Sequence, residues 1–306
     1  MKKELKKYQK VLIVICSFVV VFSITFATLY LWDNHSDPET IRGFDFEYND
    51  YIETVDGTYI GNLFGDEFEG NGQFEFVTSE IYVGEWSASV LSGDGKMTFP
   101  DIGVYTGNYE NFKRNGEGTF EWSNGDKYSG NWVDDEISGK GTYIFENGNF
   151  FEGNFENNKF VSGQYVVKND KFTCHINIED SKVTNRISLT LSSGESYEGE
   201  IANGRLNGHG TMKYSDGSTY AGDFKDNQRN GTGTYKWKDG HSYSGEWEND
   251  KMSGIGTYYY DTDSYPKLTG TFSNNKPTGG CTYYESVLTT YTTTWKNGKC
   301  TRVAED

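Results

Sequence analysis

The chain has 306 residues, a net charge of −17 and 24% charged residues. An acidic chain of this kind repels phosphate backbones and anionic lipid head groups, which argues against a role on nucleic acid. Aromatics make up 16% of the residues and glycine occupies 37 positions, while aliphatic side chains are sparse beyond the first 32; this suits a thin sheet held by ring packing better than a thick aliphatic core.

Residues 1–10, MKKELKKYQK, are a basic tail with five lysines and one glutamate. Residues 11–32 run without a charge and are long enough to cross a membrane as a helix, with Tyr30 and Trp32 at the far end where amphipathic rings favour the interface. The lysines before this run and the acidic residues after it predict a cytoplasmic N-terminus and an extracytoplasmic body, in a single-pass membrane protein. A cleaved signal peptide is the competing reading. Its best cleavage site, around Thr25-Phe26-Ala27, is poor, and the apolar run continues past it. Residues 33–56 are expected to be a linker or N-terminal cap, in which Phe44, Phe46 and Tyr51 would cover the first edge of a sheet.

From residue 57 to 297 a unit of 23 residues recurs. Tyr59, Tyr82, Tyr105, Tyr128 and Phe151 open successive units; Tyr197, Tyr220 and Tyr243 open later ones in the same register. A glycine follows two positions on and a large residue four positions on, as in Tyr105-x-Gly107-x-Tyr109 and Tyr128-x-Gly130-x-Trp132. Then come paired glycines, such as Gly116/Gly118 and Gly231/Gly233, and two large residues at alternate positions, such as Phe120/Trp122 and Tyr235/Trp237. Asn-Gly closes the units from Tyr105 and Tyr128, and Asp-Gly those from Tyr197 and Tyr220. The period of two places each set on one strand face, and the closing dipeptide suits a tight turn, so each unit reads as a β-hairpin in a meander. The glycines are expected to leave room for neighbouring rings. Residues 174–196 hold the register but replace the motif with Cys174, Ile176, Ile178, Ile187, Leu189 and Leu191, a degenerate repeat. A two-residue expansion falls at Asp261 to Pro266, and residues 298–306 are expected to be a frayed tail.

These motifs closely resemble the MORN (membrane occupation and recognition nexus) repeat. The resemblance implies an all-β fold: an elongated, single-layer, twisted antiparallel meander of about eleven hairpin repeats with an aromatic-lined groove, here preceded by one transmembrane helix. The unit starts imply about 21 strands. The phosphoinositide binding associated with the family is not expected, because it needs basic patches facing the cytoplasmic leaflet and this body is acidic.

No catalytic constellation stands out. His35, His175, His209 and His241 share no metal-ligand spacing, the recurring Gly-x-Gly pairs lack the strand-turn-helix setting of a dinucleotide loop, and there is no nucleophile elbow. We therefore expect no enzyme, no cofactor and no metal. Cys281 and Cys300 could pair, but their spacing does not require it. The expected function is a membrane-anchored scaffold for protein–protein interaction or self-assembly. Its partner would bind an aromatic groove near Tyr105, Trp122, Tyr128 and Trp132, opposite a polar face carrying Asn108, Asn131, Glu200, Thr211, Lys213 and Asp223. The alternative is a cell-envelope polysaccharide-binding module, since exposed rings stack on sugars. The Tyr/Trp-Gly repeats are distantly similar to choline- and glucan-binding repeats, but those carry tight Trp-Tyr pairs, to which only Tyr258-Tyr259-Tyr260 and Tyr283-Tyr284 come close here.

Overall fold

The structure is a computed structural model that describes residues 50–261 and 264–305. The basic tail, the apolar run 11–32, Phe44 and Phe46 lie outside the described residues. Among the described residues there are twenty-three β-strands and no helix. They fall into two compact units. The first spans residues 50–167 and 177–182, the second residues 168–176 and 183–305, so the division falls at β12 (Phe172–Glu179) and the start of β13 (Lys182–Leu191).

Within each unit consecutive strands pair antiparallel. In the first, β6 (Gly103–Glu110) pairs with β7 (Lys113–Trp122), and β7 with β8 (Lys127–Val133). In the second, β16 (Thr219–Lys225), β17 (Gln228–Lys236), β18 (Ser242–Glu248) and β19 (Lys251–Tyr259) follow the same scheme. The connection inside each hairpin is shorter than the polar run in the sequence suggests. It is two residues, both with positive φ in every repeat hairpin after the first, as at Asp134-Asp135 and Asp226-Asn227. Such turns match the right-handed twist of the flanking strands, and Asn and Asp tolerate them best. Five connections between hairpins turn on a left-handed glycine, such as Gly125 (φ 95°), whose N–H donates to the Trp122 carbonyl; Ser79 and Asp101 have positive φ in two others.

Both ends carry one strand more than the unit starts imply. β1 (Asp50–Glu53) pairs with β2 (Gly57–Phe64), so backbone covers that edge of β2, while Tyr51 stays exposed. Residues 298–305 of the expected frayed tail are ordered otherwise: β23 (Lys299–Glu305) pairs along its length with β22 (Thr290–Lys296). Alternating burial was too weak a signal there, because β23 has little buried side chain and is held by the ladder. Cys174, Cys281 and Cys300 are free thiols.

In each unit the core is a row of rings on one face. Tyr59, Tyr82, Tyr105, Tyr128, Tyr197, Tyr220 and Tyr243 are all buried below 2% exposure. In the degenerate repeat Cys174, Ile176, Ile187, Leu189 and Leu191 are buried instead, Ile178 less fully, so aliphatic packing replaces the rings there.

Candidate functional site

The repeat centres on how one tyrosine treats two glycines. The register of β6 and β7 matches Gly107 with Gly118 and then Tyr109 with Arg114, skipping Asn108. A skipped residue leaves its carbonyl outside the ladder. The Tyr105 ring lies along its own strand and its hydroxyl donates to that Asn108 carbonyl at 3.0 Å. Tyr128 does the same to Asn131 at 3.0 Å and Tyr220 to Asp223 at 3.0 Å. The ring occupies the space a side chain at residue 118 would need: a Cβ there would lie 2.2 Å from the Tyr105 hydroxyl oxygen. The preceding glycine has a different task. Gly116 has φ 85°, a left-handed backbone that lets β7 pass the bulge, and it faces Asn108 instead of a ring. Both glycines were expected to clear rings; only the second does so. Phe151 has no hydroxyl, and between β10 (Phe150–Glu156) and β11 (Lys159–Lys168) the register shift shrinks to a single extra residue on β11.

The large residue four positions after the tyrosine ties one hairpin to the previous one. The Trp132 indole donates to the Gly118 carbonyl at 3.2 Å and Trp247 to Gly233 at 3.0 Å. Between these rings and the hairpin turns lies a slot, filled by the second residue of the returning strand. In two repeats it holds an arginine. The Arg114 guanidinium stacks 4.4 Å from the Trp132 ring and pairs with Asp135 at 3.0 Å. Arg229, 3% exposed, stacks 4.3 Å from Trp247 and 4.9 Å from Tyr235 and pairs with Asp250 at 3.2 Å. Elsewhere Leu91, Ile137 and Leu206 fill the slot. The second turn residue of the next hairpin also accepts a hydrogen bond from the slot residue's backbone N–H: Asn158 from Ile137, Asn227 from Leu206, Asp250 from Arg229 and Asn275 from Met252.

The expected groove residues need correction. Tyr105 and Tyr128 are 0% exposed and Trp132 is 2% exposed, so these three rings are core and present no surface to a partner. Only Trp122 is part-exposed, tilted against Tyr143 with 5.3 Å between ring centroids. A face that is aromatic in sequence closes on itself because each ring covers its neighbour's glycines. The opposite face is polar as expected. It carries hydroxyl pairs such as Thr119 with Ser129 and Thr234 with Ser244, and His209 beside Asp223 at 3.3 Å.

The aromatic face opens instead in the second unit. A cavity of about 510 Å³ lies over β19, β20 (Lys267–Ser273) and β21 (Lys276–Tyr284), walled by Trp237, Tyr258, Tyr260 and Trp295. Its floor includes Leu268 and Phe272, and Asp239 and His241 stand at its rim. His241 Nδ1 lies 3.1 Å from the Tyr258 hydroxyl and 3.9 Å from an Asp239 oxygen. The cavity forms where the slot residues shrink. Pro277 takes the place held by Arg229 two hairpins earlier, and Gly298 the place held by Asp250. Proline has no N–H to cap and glycine no side chain to cap it, so the turn-to-turn ladder stops there. Burial pushes the tyrosine hydroxyls up from their ordinary value near 10, Tyr128 to about 12, and Tyr258 and Tyr260 are raised for the same first reason. Among the described residues, no group of three or more His, Cys, Asp or Glu side chains is placed to hold a metal ion.

The family model of the MORN repeat matches residues 82–101, 105–127, 128–150, 197–219, 220–242 and 243–265. The chain contains MORN repeats. Each matched MORN repeat begins on one of the buried tyrosines, Tyr82, Tyr105, Tyr128, Tyr197, Tyr220 or Tyr243. In the unmatched stretch 151–196 Phe151 and Cys174 replace the hydroxyl that closes the bulge, as Leu268 does beyond the last match. No curated protein matches the chain. Among solved structures, the SAS-4 (dCPAP) TCP domain in complex with a proline-rich motif of Ana2 (dSTIL) of Drosophila melanogaster aligns with 79% of this chain and 99% of that one, at 11% identity and a TM-score of 0.22. A streptogramin B lyase aligns over 84% and 82%, at 11% identity and a TM-score of 0.15. A catalytically inactive virginiamycin B lyase from Staphylococcus aureus with quinupristin aligns over 85% and 88%, at 11% identity and a TM-score of 0.14. Likenesses this slight carry no statement about fold or function.

Proposed function

We propose that this MORN-repeat protein is a membrane-anchored, extracytoplasmic scaffold that holds a protein partner on the open part of its aromatic face. The observation that carries the reading is the cavity walled by Trp237, Tyr258, Tyr260 and Trp295. An apolar opening with a polar rim on an otherwise closed face is the usual form of a protein contact site. The charge-free run 11–32 supplies the anchor and the lysines before it the orientation.

A photo-cross-linking residue placed at Tyr260 in the full chain, in intact cells, tests the docking. The expected result is a discrete cross-linked protein from Tyr260 and none from a control position at His209 on the polar face. Cross-links from His209 alone would move the functional surface to that face. Retention of envelope polysaccharide in place of protein at Tyr260 would favour the sugar-binding alternative, which rests on the same four rings. Protease added outside intact cells tests the topology and should digest the repeats; protection until the membrane is breached would overturn the orientation.

A further inference from the structure

The repeat builds the same aromatic slot many times and shows what the slot accepts. In the Arg114 and Arg229 repeats it accepts a guanidinium, stacked on a tryptophan at 4.4 and 4.3 Å with a carboxylate at its edge. The same slot recurs at Pro277, where Trp295 stands in the position of Trp132 and Trp247. There the Lys276 stem passes beside Gly298, and among the described residues no arginine or lysine stacks on the Trp295 ring. Pro277 is too short to cover the Trp295 ring, and the slot merges with the one beside Met252 into the cavity. The filled slots take their carboxylate from the next hairpin turn. At the open one that position is Gly298, and the carboxylate at the rim is Asp239, from the turn on the other side of the cavity.

We infer that the open slot takes an arginine side chain from the partner, so that the partner's guanidinium stacks on Trp295 as Arg229 stacks on Trp247. The inference rests on the docking proposal and gives that partner its chemistry: an extended segment carrying an exposed arginine. Two features favour this occupant. A planar guanidinium stacks on indole better than a compact ammonium does. The chain's charge of −17 also draws a basic segment toward the rim.

The test uses the full chain in detergent micelles and two capped five-residue peptides of Gly and Ser, identical except for a central arginine or citrulline. Binding is read from the indole NMR signals of Trp295 and Trp237. The arginine peptide should shift both signals in a saturable way, and the citrulline peptide should bind at least about tenfold more weakly. Asp239→Asn should weaken the arginine peptide severalfold at low salt, with the difference closing at high salt. The decisive variant is Pro277→Arg with Gly298→Asp, which restores the internal plug and its carboxylate. It should keep the sheet's circular dichroism, shift Trp295 without ligand, and no longer respond to the peptide. Equal binding of the two peptides, or undiminished binding by a folded plugged variant, would overturn the inference. If Tyr260 cross-links a protein but the arginine peptide does not bind, the arginine assignment falls and the docking reading stands. If Tyr260 cross-links nothing, the docking reading itself fails.

Discussion

Gly118→Ala isolates the contact on which each hairpin is built. The Gly118 backbone lies outside the left-handed region, so alanine brings no dihedral penalty. Its Cβ would stand 2.2 Å from the Tyr105 hydroxyl oxygen and 2.5 Å from two ring carbons. The ring cannot swing clear: it is 0% exposed, meets Tyr109 and Trp132 edge-on at 5.1 and 5.3 Å, and its hydroxyl is held by the Asn108 carbonyl. Overpacking of this kind costs about 1–3 kcal/mol, and losing the hydroxyl's hydrogen bond adds about 1 kcal/mol, so the substitution should destabilise this hairpin by about 2–4 kcal/mol. Repeat arrays unfold by parts, so the measurement is hydrogen exchange of the β6, β7 and β8 amides in the full chain, where protection should fall there first. The refuting result comes from a double-mutant cycle. With Tyr105→Ala already in place the obstruction is gone, and Gly118→Ala should cost almost nothing, a coupling of about 2 kcal/mol or more. If Gly118→Ala costs the same in both backgrounds, the ring is not why residue 118 is glycine.

Tyr128→Phe keeps the ring but leaves the Asn131 carbonyl without its donor, and should cost about 1–2 kcal/mol by the same exchange measurement. Asp250→Ala removes the carboxylate from the buried Arg229 guanidinium, which keeps only neutral partners such as the residue 250 carbonyl, and removes the acceptor for its backbone N–H, so a loss of about 3 kcal/mol is expected, read as a lowered urea midpoint for the second unit. Stability should also fall in alkali. Below pH 10 the row tyrosines are protonated in both folded and unfolded chains, and stability is flat on their account. Between pH 10 and about 12 the unfolded chain releases protons that folded Tyr128 retains, so stability declines as pH rises, by up to about 1.4 kcal/mol per pH unit for each such tyrosine. A melting temperature that stays level from pH 9 to 12 would show that these hydroxyls are not held by burial.

The recurrence of Tyr-x-Gly every 23 residues was enough to place the hairpins, the turns between them and the residues that share a face, because a strand's period of two and a turn's need for positive φ are local demands written into each unit. The degenerate stretch was legible for the same reason, its aliphatics falling in the register of the missing rings. What the sequence could not assign was the work each residue does. Gly116 and Gly118 look alike in the chain, yet one serves a left-handed backbone and the other a tyrosine from the neighbouring strand, a contact across a bulge whose place depends on strand register. The candidate site turned on the same kind of fact. Tyr105, Tyr128 and Trp132 read as a groove by their spacing, but each is covered by rings and slot residues from adjacent hairpins, and only pairing across the sheet brings those together. Where the covering residue is Arg229 the face is shut, and where it is Pro277 the face opens. That difference depends on side chains that are far apart in the chain and adjacent only in the sheet, so it was settled by strand pairing and not by any local pattern.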